Sequence, residues 1–200
     1  MEPQWHLGEV DFFSNMPAER EAFMALAQRR ELGRNDIVFF EEDAGDACFY
    51  LEKGLVRIFR IAASGKEPIF FLRRAGEMFG LAEVMDSAPR KANAQALAPC
   101  VLHAMGRENF ERYLAGNFRA AAKVIRILGR RLRYLGEQVG NLMTCDVVTR
   151  LAKLLVYIGY DELACEDAWK GPVTLPVQLT QEHMAAMTGS CQQTVSEVLS

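Results

Sequence analysis

Six aliphatic residues, Ile125, Leu128, Leu132, Leu135, Val139 and Leu142, follow one another at steps of 3, 4, 3, 4 and 3. That spacing keeps all six on one stripe of a helix and asks for a second helix to cover it. The run from about Phe118 to Leu142 predicts a rod of about 35 Å if it is continuous. Gly129 and Gly136 flank the stripe one heptad apart. Each costs about 1 kcal/mol of helix propensity relative to alanine, which close approach of another backbone would offset. The alternative is a stripe that packs on a β domain of its own chain.

Before the rod, Pro17 to Arg30 predicts a short amphipathic helix with Phe23, Leu26 and Ala27 inward and Arg20, Gln28 and Arg29 outward. From Ile37 to Met105 the period changes. Short apolar stretches (Ile37–Phe39, Cys48–Leu51, Val56–Phe59, Ile69–Leu72, Val101–Met105) alternate with turn signals such as Asn35-Asp36, Lys53-Gly54 and Ser64-Gly65. Many short strands at regular spacing predict a compact barrel or roll.

After the rod, Met143-Thr144-Cys145-Asp146 reads as a hinge, with Thr144 or Asp146 capping a helix over Val147–Ile158. Val173 to Leu179, with Pro172 and Pro176, reads as edge strand or extended chain. The last twenty residues predict a helix, a tight turn and a helix. Thr180 caps the first, Gln181–Met187, whose Met184 and Met187 face inward, and Thr188-Gly189 stops it. Ser190 caps the second, Gln193 completes a capping box, and Val195, Val198 and Leu199 form the buried stripe. Gln192, Gln193, Ser196 and Glu197 then point outward, as in helical pairs that lay one helix in the major groove of DNA.

The expected fold class is therefore α+β: a β roll over 1–116, a dimerisation helix over 117–143 and a helix–turn–helix region over 144–200. Half of the 200 residues are hydrophobic, enough for a sizeable core. No signal peptide or membrane-spanning run stands out, so the expectation is a cytoplasmic protein with no membrane contact. The five cysteines, Cys48, Cys100, Cys145, Cys165 and Cys191, contain no Cys-x-x-Cys pair, against a disulfide framework or thiolate metal site. A net charge of −3 gives no global attraction to phosphate. From Thr144 onward three basic residues face seven acidic ones, while Arg119, Lys123, Arg126, Arg130, Arg131 and Arg133 make the long helix basic. Nothing has the spacing of an enzyme site; Glu182-His183 lacks the second histidine of a zinc-protease motif.

Gly76-Glu77-Met78-Phe79-Gly80, followed by Asp86 to Ala96, resembles the phosphate-binding cassette of the cyclic-AMP receptor/FNR superfamily of bacterial transcription factors. Tyr50–Arg57 and Arg150–Leu155 agree with the same family, and the likeness spans nearly the whole chain. It implies a cyclic-nucleotide-binding-like roll, a homodimer, double-stranded DNA read as an inverted repeat, a small-molecule or gas effector and RNA polymerase as a partner. It also implies a two-stranded wing after the second helix, which is either omitted from this chain or truly missing.

In the family's cassette a helix start and a nearby arginine hold a phosphate. The candidate effector residues are thus Gly80, Leu81, Glu83, Arg90 and Lys91, with Phe70, Phe71, Met78 and Phe79 as apolar walls. Cyclic-AMP binders carry glutamate where this chain has Leu81, and serine or threonine where it has Lys91. Leu81 against a ribose would strand polar atoms, at about 1 to 3 kcal/mol, so cyclic AMP is not expected. Glu83 would substitute only through a shifted backbone. Other anions remain open for Arg90 and Lys91, although Arg90 could simply pair with Glu77, Glu83 or Asp86.

Relatives that sense gas or redox state use haem or an iron–sulfur cluster. The N-terminal cysteine cluster of the latter is absent, and haem would need His6, His103 or a cysteine. Cys191 at the start of the reading helix could be a redox-sensitive thiol. The resemblance implies DNA contacts from Thr180, Gln181, Ser190, Gln192, Gln193, Thr194, Ser196 and Glu197. The family's usual arginine readers are replaced by glutamines, which pair best with adenine. Thr180, Gln181 and Thr194 suit phosphates. The alternative function is a ligand-binding module whose helical end binds a protein partner.

Overall fold

The computed structural model describes residues 11–159, 171–175 and 177–200. Their elements run α1 (Pro17–Leu26), β1 (Gln28–Leu32), β2 (Ile37–Phe39), β3 (Ala47–Lys53), β4 (Leu55–Phe59), β5 (Ile69–Arg74), β6 (Met78–Phe79), α2 (Leu81–Asp86), β7 (Asn93–Ala96), β8 (Cys100–Gly106), α3 (Arg107–Gly116), α4 (Phe118–Thr144), α5 (Val147–Ile158), α6 (Gln181–Thr188) and α7 (Gln192–Val198). Two compact units emerge, one from Glu9–Arg60 and Phe70–Gly129, the other including Ile61–Ile69 and Arg130–Ser200. The division falls inside α4.

The first unit is a roll of two four-stranded sheets, ordered β1-β8-β3-β6 and β2-β7-β4-β5. Side chains alternate across a strand, and β3 buries both sets. Phe49 and Leu51 enter a cluster with Val38, Val56, Phe79, Ala94, Ala96 and Leu102. Cys48 and Tyr50 enter another with Phe23, Met105, Phe110, Tyr113 and, from α4, Ala120, Val124 and Ile127. Both faces are covered, so the sequence shows a solid apolar run there instead of alternation.

The first helix stops four residues short of expectation, and Gln28–Leu32 forms β1 instead, paired antiparallel with β8 from Gln28↔Ala104 to Leu32↔Cys100. Leu26 is 39% exposed and not part of the core, whereas Phe23 is fully buried. Long-range pairing overrides a local pattern that ran on as helix. The sheet partners β6 and β7 and the helices α2 and α3 also join the five expected strands.

α4 has two apolar sides. Ala120, Val124 and Ile127 are buried on its own roll, and Leu128 packs partly against the same cluster. Ile125, Leu132, Leu135, Val139 and Leu142 are 71%, 72%, 37%, 56% and 55% exposed. The heptad stripe is therefore mostly distinct from the face that packs internally.

In the second unit α4 ends at Thr144, and Asp146, not Thr144, caps α5 by accepting from the Thr149 N–H at 2.8 Å. Leu151, Leu154, Ile158, Met184, Ala185 and Val195 form one core from α5, α6 and α7. Thr180 caps α6, with His183 completing a capping box. Gly189, at φ 64°, ends it in the left-handed conformation that glycine adopts most readily. The expected Ser190 box on the second helix does not form: Cys191 is the N-cap residue, and no side chain caps it. Leu199 is 45% exposed, so the buried stripe of α7 is Val195 with Val198 partly packed. Pro176 and the acidic stretch from Asp161 to Asp167 lie outside the described residues. Among the described residues no helix is long and apolar enough to cross a membrane.

Leu102 is fully buried between the sheets. Leu102→Ala is expected to lower stability by about 2–5 kcal/mol, read as a fall in the urea midpoint; a change below about 1 kcal/mol would place that side chain outside the core.

Candidate functional site

Residues 80–90 close a loop around one guanidinium. Gly80 takes φ 68°, and a Cβ there would stand 2.8 Å from Arg90 Nη1. Arg90 is only 1% exposed. Its Nη1 donates to the Gly80 carbonyl at 3.2 Å and to Glu83 Oε2 at 3.4 Å, while Nη2 donates to the Ala47 carbonyl. Its Cζ lies 4.3 Å from the centroid of Phe39 and 5.7 Å from that of Phe49. Its Nε is buried without a partner among the described residues. Burial pulls the Arg90 pKa below its ordinary value, and Glu83 beside it opposes that shift.

The backbone around this group is laced. Arg90 N–H donates to the Asp43 carbonyl and Glu42 N–H to the Arg90 carbonyl, both at 2.9 Å. Arg107 holds the same loop by donating to the Gly45 carbonyl at 3.0 Å. A Cβ on Gly45 would fall 2.5 Å from Glu83 Cβ and 2.2 Å from the Ala88 carbonyl oxygen, so Glu83's stem lies directly on this backbone. A cleft of about 630 Å³, lined by Arg30, Phe39, Asp43, Asp46, Phe49 and Arg90 among others, opens beside it.

The other expected effector residues disperse. Lys91 is exposed and pairs with Glu42 at 3.6 Å. Leu81 packs among Phe12, Phe13, Met78 and Val84 instead of lining the space around Arg90. Of the four apolar walls, Phe79 stacks on Phe49 at 5.1 Å and Phe49 on Phe39 at 5.7 Å. Phe70 is exposed, Met78 lies in the Leu81 cluster, and Phe71 takes the Arg73 guanidinium on its face. Glu77 pairs with Arg73 at 3.0 Å and not with Arg90. His103 Nε2 meets the Glu52 carboxylate, Cys48 and Cys100 are buried, and His6 lies outside the described residues.

On the helical pair, Gln192, Gln193 and Glu197 are exposed, with Ser190, Thr194 and Ser196 half-buried beside them. Gln193 Nε2 donates to Glu197 Oε1 at 3.0 Å along the helix. Thr180 Oγ1 is occupied as the α6 cap, and Gln181 opens that helix half-buried. Cys191 is exposed; its contact with Thr194 Oγ1 at 3.1 Å lowers the thiol's pKa.

Residues 29–117 match the family described as the cyclic nucleotide-binding domain. Curated relatives include a CRP-like cAMP-activated global transcriptional regulator of Mycobacterium tuberculosis, 27% identical over 92% of this chain and 80% of that protein. The Thermus thermophilus cyclic AMP receptor protein is 28% identical over 96% of this chain and 84% of its own length. Among solved structures, the c-di-GMP responsive global regulator CLP of Xanthomonas campestris superposes with a TM-score of 0.78 at 20% identity, covering 92% of this chain and 89% of that one. The chain is thus similar to CRP-like regulators along nearly its whole length.

The motif at residues 76–96 is visible in the sequence, but what fills the space around Arg90 is not. The Phe39 and Phe49 rings and the carbonyls of Gly80 and Ala47 surround Arg90, and no spacing rule connects residue 47 with residue 90. The residues present fit a nucleotide phosphate poorly: Arg90 Nη1 already faces the Glu83 carboxylate, and Lys91 turns to Glu42.

Gly80→Ala should cost about 2 kcal/mol or more, because left-handed strain adds to the clash with Arg90. Gly65→Ala, at φ 77° with nothing within 4 Å, carries the strain alone. Equal losses in urea unfolding would show that the close approach to Arg90 is immaterial.

Proposed function

We propose that this chain is an effector-controlled, sequence-specific DNA-binding transcription regulator of the CRP/FNR type that acts as a cytoplasmic homodimer and does not respond to cyclic AMP. The observation that carries the reading is the helical pair, in which Val195 is fully buried while Gln192, Gln193 and Glu197 stay exposed. In this reading 1–116 sense the effector, 117–143 pair two copies and 144–200 read DNA. The exposed stripe of α4, Ile125, Leu132, Leu135, Val139 and Leu142 with Leu128, is the dimer seam. Gln192, Gln193, Ser196 and Glu197 read bases, and Thr180, Gln181, Ser190 and Thr194 set position on the backbone. The effector site lies around Gly80, Glu83 and Arg90, of which Arg90 borders the cleft.

An effector acts by binding one arrangement of the dimer more tightly than another. A near-complete switch takes about 5 kcal/mol of differential affinity. The acidic excess after Thr144 favours a second reading, in which the helical end binds a protein partner.

Selection from random duplexes separates the two. The first reading expects inverted repeats with half-site centres about 10 base pairs apart, and a changed base preference for Gln193→Ala; no enrichment favours the protein-partner reading. The seam is tested by Leu132→Lys, expected to give a monomer in sedimentation with helical circular dichroism retained. A wild-type protein that is monomeric at micromolar concentration, with and without operator DNA, would overturn the dimer.

A further inference from the structure

We propose that Glu83 is the specificity residue of the cassette: its carboxylate takes the anion position on Arg90, so the site is filled from within and refuses phosphate ligands. This rests on the reading above that the cassette is the effector site. Arg90 is the cation that the resemblance assigns to a ligand's phosphate, and it is 1% exposed with a carboxylate oxygen 3.4 Å from Nη1. A second anion would have to share that largely buried guanidinium with Glu83, and like charges repel there more strongly than in open solvent.

Glu83 is built into place. Its side chain is 20% exposed, its stem lies on the backbone of Gly45, and a side chain at position 45 would displace it. Arg107 fixes the Gly45 carbonyl, and the strand pairing of Ala44 with Pro89 closes the loop over the arginine. Nη1 donates also to the Gly80 carbonyl and Nη2 to the Ala47 carbonyl, Phe39 covers the flat face, and Nε alone is buried without a partner among the described residues. Lys91 offers no substitute cation inside, because it is exposed and faces Glu42.

The test uses the full chain with inorganic phosphate and, separately, cyclic AMP as probes, read by thermal unfolding and calorimetry. Wild type should bind neither. Glu83→Gln keeps the side chain's shape and removes its charge; it should bind phosphate at least about tenfold more tightly than wild type, with a melting temperature that rises with phosphate concentration. Lys91→Ala in the same background should keep that gain. A wild type that binds either probe as tightly as Glu83→Gln, or a folded Glu83→Gln that binds no phosphate, overturns the proposal. If Glu83→Gln does not fold, isotope-labelled arginine in the wild type decides: the Arg90 guanidinium signals should stay in place on adding phosphate, and their movement overturns the proposal. Failure of the regulator reading shows separately, in the duplex selection, whatever Glu83 does.

Discussion

A guanidinium removed from water must find its acceptors and its counter-charge within the fold, and Arg90 imposes that demand on the roll. An unpaired buried charge costs several kcal/mol or more, so the elements around it are constrained together. Gly80 must turn left-handed to bring its carbonyl near, the first residue of β3 must present the Ala47 carbonyl, and Gly45 must lack a side chain so that Glu83 can lie against it. The aromatic stack of Phe39, Phe49 and Phe79 then occupies the interior that these contacts enclose.

The long helix answers a second constraint, that one rod serve two apolar surfaces. Ala120, Val124 and Ile127 follow the roll, whereas Ile125, Leu132, Val139 and Leu142 follow the heptad and stay in solvent. Burying a side chain such as Leu132 is worth about 1.5–3 kcal/mol, so a stripe of this length gives a strong drive toward association. Gly136 meets nothing within 4 Å in the single chain, leaving its backbone open to close approach.

Periodicity made the rod, its break and the five apolar strands legible, because each has enough neighbours of one kind to set a period. β1 was hidden, since Gln28-Arg29-Arg30-Glu31 carries no apolar alternation and is held by pairing with β8. The cap of α7 was misplaced by one residue because Ser190 and Gln193 satisfy the box pattern, while the chain instead sends the Ser190 N–H to the Ala185 carbonyl. Leu81 was assigned to a ligand by its place in the motif, but the turn at Gly80 directs it into the core. Glu83 was visible as a candidate partner of Arg90; that Gly45 makes room for it was not, since their proximity comes from the fold.

The break between α4 and α5 is not a free joint within its own unit. Arg150 crosses it by donating to the Cys145 carbonyl, and its Nε donates to the Thr188 carbonyl, both at 2.8 Å. Lys153 reaches back to donate to Oδ1 of the buried Asn141 at 2.5 Å. Thr188 in turn closes α6 by donating to the Met184 carbonyl, and Val195 locks α7 into the core that α5 and α6 share. The end of α4, the cap of α5 and the turn between the last two helices are thus joined through one arginine. A re-aiming of α7 that left Arg150 bonded would carry α5 and α6 with it, so the three helices would move as a body. A motion of α7 alone would have to break the shared core, which is the costlier path.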